Sequence, residues 1–197
     1  MRVEMPLFLR AAVALIAASL CTCSSLSQKQ CLSENWHAIG ERDGANGHTE
    51  YRITDHQETC AKYGIVPDMP EHEAGRQEGL KRYCTAVGGL QAGRYANSYA
   101  GVCEAENEDA FLAGFKLGQD IYDMELRVNA VRSEYDLARN RLADIDRSRR
   151  EQDRETNSDG KRRERDALRL RLRELERDLW RADDDLRQLE WAARRMR

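Results

Sequence analysis

Glycine placement divides this chain in two. Twelve of the thirteen glycines lie between Gly40 and Gly118, the thirteenth is Gly160, and no proline follows Pro70. A glycine inside a helix costs about 1 kcal/mol relative to alanine. The glycine-rich part must therefore close turns or bring backbones together, while the rest is free to run as uninterrupted helix. Gly-x-x-x-Gly recurs four times, at Gly40 and Gly44, Gly75 and Gly79, Gly89 and Gly93, and Gly114 and Gly118. Small residues four apart share a helical face and let a neighbouring backbone come close. Aromatic residues accompany each pair: Trp36, Tyr83, Tyr95 and Tyr99, then Phe111 and Phe115. The pattern predicts a weak internal repeat of short helices, in which Trp36, Tyr83, Tyr99 and Phe111 pack against the glycine faces. A glycine-lined ligand groove is the functional alternative, but aromatics at helical spacing are more often core.

Residues 1–22 carry the three-part pattern of an export signal: Arg2 and Arg10 in a basic start, an apolar run from Ala11 to Leu20, then small polar residues. That run is too short to cross a bilayer. Its end, Leu20-Cys21-Thr22-Cys23-Ser24-Ser25, resembles the bacterial lipoprotein signal. On that reading Cys23 becomes the acylated first residue, residues 23–30 form a tether, and Ser24 points to the outer membrane. Simple cleavage to a secreted protein is the alternative. The whole chain has a formal net charge of -3; losing Arg2, Arg10 and Glu4 removes a net +1 and leaves -4. No overall field then draws the protein to nucleic acid.

Four cysteines follow Cys23, namely Cys31, Cys60, Cys84 and Cys103. In an exported chain they read as two disulfides with three possible connectivities. Helices are predicted over Ser33 to Arg42, with Ser33 as N-cap, and over Ile53 to Tyr63, capped by Thr54 or Asp55 and stopped by Gly64. An antiparallel pairing of these two brings Cys31 beside Cys60. A third helix, Glu71 to Cys84, then a turn through Gly88-Gly89 and a short helix, leave Cys84 to pair with Cys103.

The ordered motifs Trp36-x-x-Ile39-Gly40-x-x-Asp43-Gly44, His56-x-x-x-Cys60, Gly75-Arg76-x-x-Gly79-Leu80-x-x-Tyr83-Cys84, Tyr99-x-Gly101-Val102-Cys103 and Phe111-x-x-Gly114 resemble a family of small bacterial envelope lipoproteins catalogued only as a domain of unknown function. That family has no assigned activity. The resemblance supports the lipoprotein and disulfide readings and implies nothing about chemistry.

From Leu117 an apolar seam alternates steps of four and three: Leu117, Ile121, Met124, Val128, Val131, Tyr135, Ala138, Leu142, Ile145. It resumes with Leu168, Leu172, Leu175, Leu179, Ala182, Leu186, Leu189, Ala193 and Met196. Such heptads with charges on the other faces predict coiled-coil helices. No large apolar residue separates the runs, and Asn157-Ser158-Asp159-Gly160 is good turn chemistry. An antiparallel hairpin over residues 119–197, turning near 156–161, covers its own seam; one continuous helix would need a second chain. At the tip, Arg147, Arg149, Arg150, Arg154, Lys161, Arg162, Arg163 and Arg165 alternate with acids, which reads as ordinary helix-face pairing. Contact with an anionic surface is the sharper alternative.

Candidate chemistry is sparse. His56 and Cys60 share a face, and His48 and His72 are able to approach, which is metal-like spacing, but Cys60 is better used in a disulfide. No metal or cofactor is expected. Asp43, Asp55 and Glu71 offer carboxylates of the kind glycoside hydrolysis uses. Asp43-Gly44-Ala45-Asn46-Gly47 lacks the later ligands of a calcium loop. No phosphate loop, nucleophile elbow or catalytic triad is evident. The expectation is an all-α, non-catalytic, lipid-anchored protein facing the periplasm: a disulfide-linked head over residues 31–118, then a hairpin that engages a protein partner or a second copy. The alternative is a ligand-binding or hydrolytic head acting on envelope material. A concave pocket lined by His48, His56 or His72 and a carboxylate would favour that alternative; a solid core with those groups solvated would count against it.

Overall fold

The computed structural model describes residues 25–151 and 158–196. Seven α-helices and no strand occur among them: α1 (Gln28–Ser33), α2 (Trp36–Ala45), α3 (Arg52–Cys60) with a 3-10 turn Ala61–Tyr63, α4 (Met69–Tyr83), α5 (Ala86–Arg94), α6 (Ala105–Glu151) and α7 (Ser158–Arg194). The all-α expectation holds. Cys23 and the stretch expected to be an export signal lie outside the described residues.

Two helix pairs make the head, α2 with α4 and α5 with α6, and each is built on a reciprocal glycine contact. A Cβ on Gly40 would overlap the His72 carbonyl oxygen, and one on Gly44 that of Arg76; in return Gly75 and Gly79 leave room for the carbonyls of His37 and Glu41. The second pair repeats this register. Gly89 and Gly93 face the carbonyls of Phe111 and Phe115, and Gly114 and Gly118 face those of Ala86 and Leu90. In each case the carbonyl comes from the residue three before a partner glycine. Contacts advance along both helices together, so the helices of each pair run in the same direction. This close approach brings Cα–H groups against carbonyl oxygens, each contact contributing about 0.5–1 kcal/mol.

The antiparallel pairing expected for the first two helices is not what forms. α2 packs on α4, because the matching glycine faces are on α2 and α4 and not on α3. The boundaries also differ. Ser33 ends α1, which has its own Ser27–Gln30 capping box, and Asn35 caps α2 through the Ala38 N–H. No side chain caps α3; Gly64, at φ 71°, stops the turn after it as expected. Asp68 caps α4 with Pro70 in its first turn. Gly88 and Gly89 are not a turn. Thr85 accepts a hydrogen bond from the Gly88 N–H, and both glycines belong to α5. The stretch expected to be a tether is also partly folded, since Leu26 is buried against Cys31, Trp36, Ile39 and Cys60.

Cys31 bonds Cys60 and Cys84 bonds Cys103, the pairing anticipated from the sequence. Each bond sits in a hydrophobic cluster, the second with Leu80, Tyr83, Ala92 and Phe111. There the Phe111 ring lies 4.7 Å from Tyr83 and 4.6 Å from Tyr99, centroid to centroid. The sequence separations are 29 and 19, for which chain entropy gives about 3–4 kcal/mol per bond. Replacing Cys31 and Cys60 by serine is expected to lower the unfolding free energy by about that amount. A lower urea midpoint at unchanged slope would check it.

α6 and α7 form the antiparallel hairpin. Every seam position is buried or half-buried, and cross-arm pairs run in opposite order along the two helices: Arg132–Asp183 at 3.7 Å, Glu134–Arg171 at 3.0 Å and Arg141–Glu164 at 2.8 Å. Exposed pairs of this kind contribute at most about 1 kcal/mol each, so the seam holds the arms together. The connection, 152–157, lies outside the described residues. Of the expected turn, Ser158 to Lys161 is already the first turn of α7. At the base, Leu90 of α5 packs with Ile121 of α6 and Ala193 of α7. Arg94 ties the same three helices, at 2.9 Å from Glu125 and 2.5 Å from Glu190.

Candidate functional site

Chemistry concentrates where α2, α3 and α4 meet. On α2 the inward face is Trp36, Ile39, Gly40, Asp43 and Gly44; on α4 it is His72, Gly75, Arg76, Gly79, Leu80 and Tyr83. The glycine contacts bring the two backbones so close that the short Asp43 side chain reaches the His72 ring. α3 adds His56 from its own buried face of Ile53, His56, Thr59 and Cys60, and the Cys31–Cys60 bond clips that helix down.

Asp43 Oδ2 lies 2.7 Å from His56 Nε2 and 2.9 Å from His72 Nε2, so one carboxylate oxygen accepts from both imidazoles. Asp43 is 6%, His56 1% and His72 1% exposed. The two rings stand edge to face, centroids 5.7 Å apart. Burial alone would push the Asp43 carboxyl up. The hydrogen bonds from His56 and His72 outweigh that and hold it well below the usual carboxylate range.

The other nitrogen of His56, Nδ1, lies 2.8 Å from Ser25 Oγ. That hydroxyl is 3.0 Å from Thr59 Oγ1, with either as donor, and the Ser25 N–H donates to the same Thr59 oxygen at 3.3 Å. The first described residue of the chain is thus latched onto the buried cluster. Ser25, His56 and Asp43 stand in the order of a hydrolase triad. However, Asp43 is shared with a second histidine, and the Ser25 N–H, a donor of the type that holds an oxyanion, is committed to Thr59.

The remaining candidates are not drawn in. His48 is half-buried, and burial followed by nearby Arg52 pushes its pKa down; its carbonyl accepts from Arg76. Asp55 is exposed and paired with Arg52, and Glu71 is exposed in the first turn of α4. Cys60 is in its disulfide. Between the two outcomes posed for the histidines, solvated or lining a pocket, the structure gives a third: His56 and His72 are buried and bound to a common carboxylate. Sequence reasoning missed that convergence. Its signal was that Asp43 and His72 sit three residues from Gly40 and Gly75, on the faces that meet. At the hairpin tip, Arg147 and Arg162 lie 3.6 and 3.9 Å from Asp144 and Asp159 on their own helices, in keeping with ordinary helix-face pairing.

The fold and the cluster define a disulfide-linked helical head that grows directly into a coiled-coil hairpin. Residues 35–120 of that unit match the model of a family described as a protein of unknown function, DUF2799. The match runs from the cap of α2 into α6, which bears out the resemblance to a family catalogued only as a domain of unknown function. No curated protein and no solved structure matches the chain.

Proposed function

We propose that the protein is a non-catalytic, lipid-anchored envelope protein that works as an interaction module. Acylated Cys23 holds the head at the periplasmic face of the outer membrane, and the hairpin presents its outer surface to a protein partner. The observation that carries this reading is the hairpin itself. Its two arms cover the apolar seam between them, yet Trp180 and Trp191 on α7 remain 67% and 57% exposed. Eleven residues are about three helical turns, so the two rings share the face that points away from the seam. Exposed tryptophan is unusual on a self-sufficient surface and is enriched at contact sites. Leu170 is exposed on the same helix, and Arg195 stacks on the Trp191 ring at 4.6 Å.

The test of the anchor is intact mass on protein from the envelope fraction of its own host. Wild type is expected to carry the acyl chains on Cys23, and Cys23→Ser to lose them and leave the membrane fraction. A wild-type chain that carries no lipid would overturn the anchored reading. For the interaction surface, a photo-crosslinker at position 180 or 191 is expected to give a discrete protein adduct in the envelope, whereas position 137, on the exposed side of α6, gives none. A second reading, a ligand-binding head, draws on the buried Asp43 cluster alone.

A further inference from the structure

The geometry points to a site for a divalent transition metal of the zinc class, bound by Asp43, His56 and His72, with Ser25 bracing one ligand from behind. It goes beyond the anchoring role and does not depend on Cys23 being acylated.

The donor set is the first argument. Imidazole and carboxylate together suit zinc, and three protein ligands leave one position for water. One oxygen and two ring nitrogens converge from three different helices, all within 4.8 Å of one another. A tetrahedral zinc with bonds of about 2.0–2.1 Å sets its ligands roughly 3.3 Å apart. The Asp43 oxygen is already 2.7 and 2.9 Å from the two nitrogens, so admitting the ion moves it outward by roughly half an ångström while the two nitrogens, within 4.8 Å of each other, close toward the same spacing. The rings stand at 69° to each other, an arrangement that two ligands on separate vertices can adopt.

The layer behind the ligands is the second argument. Ligating histidines hold their far nitrogen in a hydrogen bond that fixes the tautomer. With neutral rings and no metal, each Nε2 would carry the proton that it donates to Asp43, leaving His56 Nδ1 to accept from the Ser25 hydroxyl. With metal, Nε2 gives its lone pair to the ion and the ring proton moves to Nδ1, so no net proton is lost from a neutral ring. His56 Nδ1–H then donates to Ser25 Oγ, and the Ser25 hydroxyl turns to donate to Thr59 Oγ1, 3.0 Å away. The Ser25–Thr59 pair is satisfied in both directions, which is what a bracing layer for an exchangeable ion needs.

The experiment uses the full mature chain with both disulfides closed, and Co²⁺ as a spectroscopic stand-in for zinc. Wild type is expected to bind one equivalent with the intense visible bands of a tetrahedral site, and zinc to displace it. His72→Gln is expected to lose at least tenfold in affinity, and Ser25→Ala about tenfold, while His37→Gln on the surface loses nothing. The chain has four histidines, so a ring-nitrogen NMR spectrum of wild type with zinc reads the site without any mutation. His56 and His72 Nε2 should move, and His37 and His48 should not. Absence of bound metal in wild type, shifts confined to His37 or His48, or full affinity in a folded His72→Gln would each overturn the site.

Discussion

Gly40→Ala combined with Gly75→Ala is expected to destabilise the head severely, although alanine is the better helix former at both positions. Propensity alone would favour the double variant by about 1 kcal/mol per site. The packing decides against it. Each new methyl would overlap the backbone carbonyl of the facing helix, His72 for Gly40 and His37 for Gly75, and a backbone atom inside a helix has nowhere to turn. α2 and α4 must then separate along their whole contact. Overpacking a fixed site costs about 1–3 kcal/mol, and separation also loses the Cα–H contacts and opens the path to Asp43. The net is a loss of about 3–5 kcal/mol for the pair, or a fall of some tens of degrees in Tm for a domain this small. Gly160→Ala, at an exposed position in the first turn of α7, is the control with the opposite sign: a gain of at most about 1 kcal/mol. Thermal unfolding followed by circular dichroism separates the two. A double variant as stable as wild type would show that the glycines are not what sets the helix spacing.

Asp43→Ala should be as damaging by a different route. One carboxylate oxygen satisfies two imidazole N–H groups, and all three residues are buried. Its removal leaves both donors without an acceptor, at about 1–3 kcal/mol for each buried group. Breaking a buried polar set by deleting one partner falls in the range of about 3–5 kcal/mol. Asp43→Asn keeps the shape and one carbonyl oxygen but places an N–H₂ in the cluster, so a loss of about 1–3 kcal/mol is expected. Urea unfolding of the three proteins, compared at constant slope, is the measurement. Equal midpoints for wild type and Asp43→Ala would mean that the cluster contributes nothing to folding.

The parts of this fold that were legible in the sequence are those governed by spacing along one helix. The seam from Leu117 to Ile145 and from Leu168 to Met196 is a 3.5-residue repeat, and every position in it is turned inward. The four glycine pairs are spaced for close backbone approach, and each makes one. What spacing does not contain is the choice of neighbour. The glycine pair of α4, absent from α3, marks it as able to approach a backbone, but the four pairs are alike and their spacing does not say which two of them meet. The disulfides were paired correctly even though that neighbour was not, because Cys31 sits on the separate helix α1 and reaches Cys60 without help from α2. The Asp43, His56 and His72 convergence was hidden for the same reason. His72 was only one of the histidines able to approach His56, nothing tied it to Asp43 until α4 was laid on α2, and Ser25 belonged to a stretch that reads as a tether.

α6 has no joint between head and hairpin. The same helix carries Phe111 and Gly114 against α5 and then runs on for about 50 Å beyond Gly118, at 1.5 Å per residue. A sideways load applied at the far end therefore acts on the head with a long moment arm. Arg94 and the cluster of Leu90, Ile121 and Ala193 serve as the fulcrum, because they fix both arms to α5 at one level. Below that point the load becomes torque on the α5–α6 contact, where backbones meet without side chains to cushion them. The molecule is thus a stiff lever whose short end is buried in its own core.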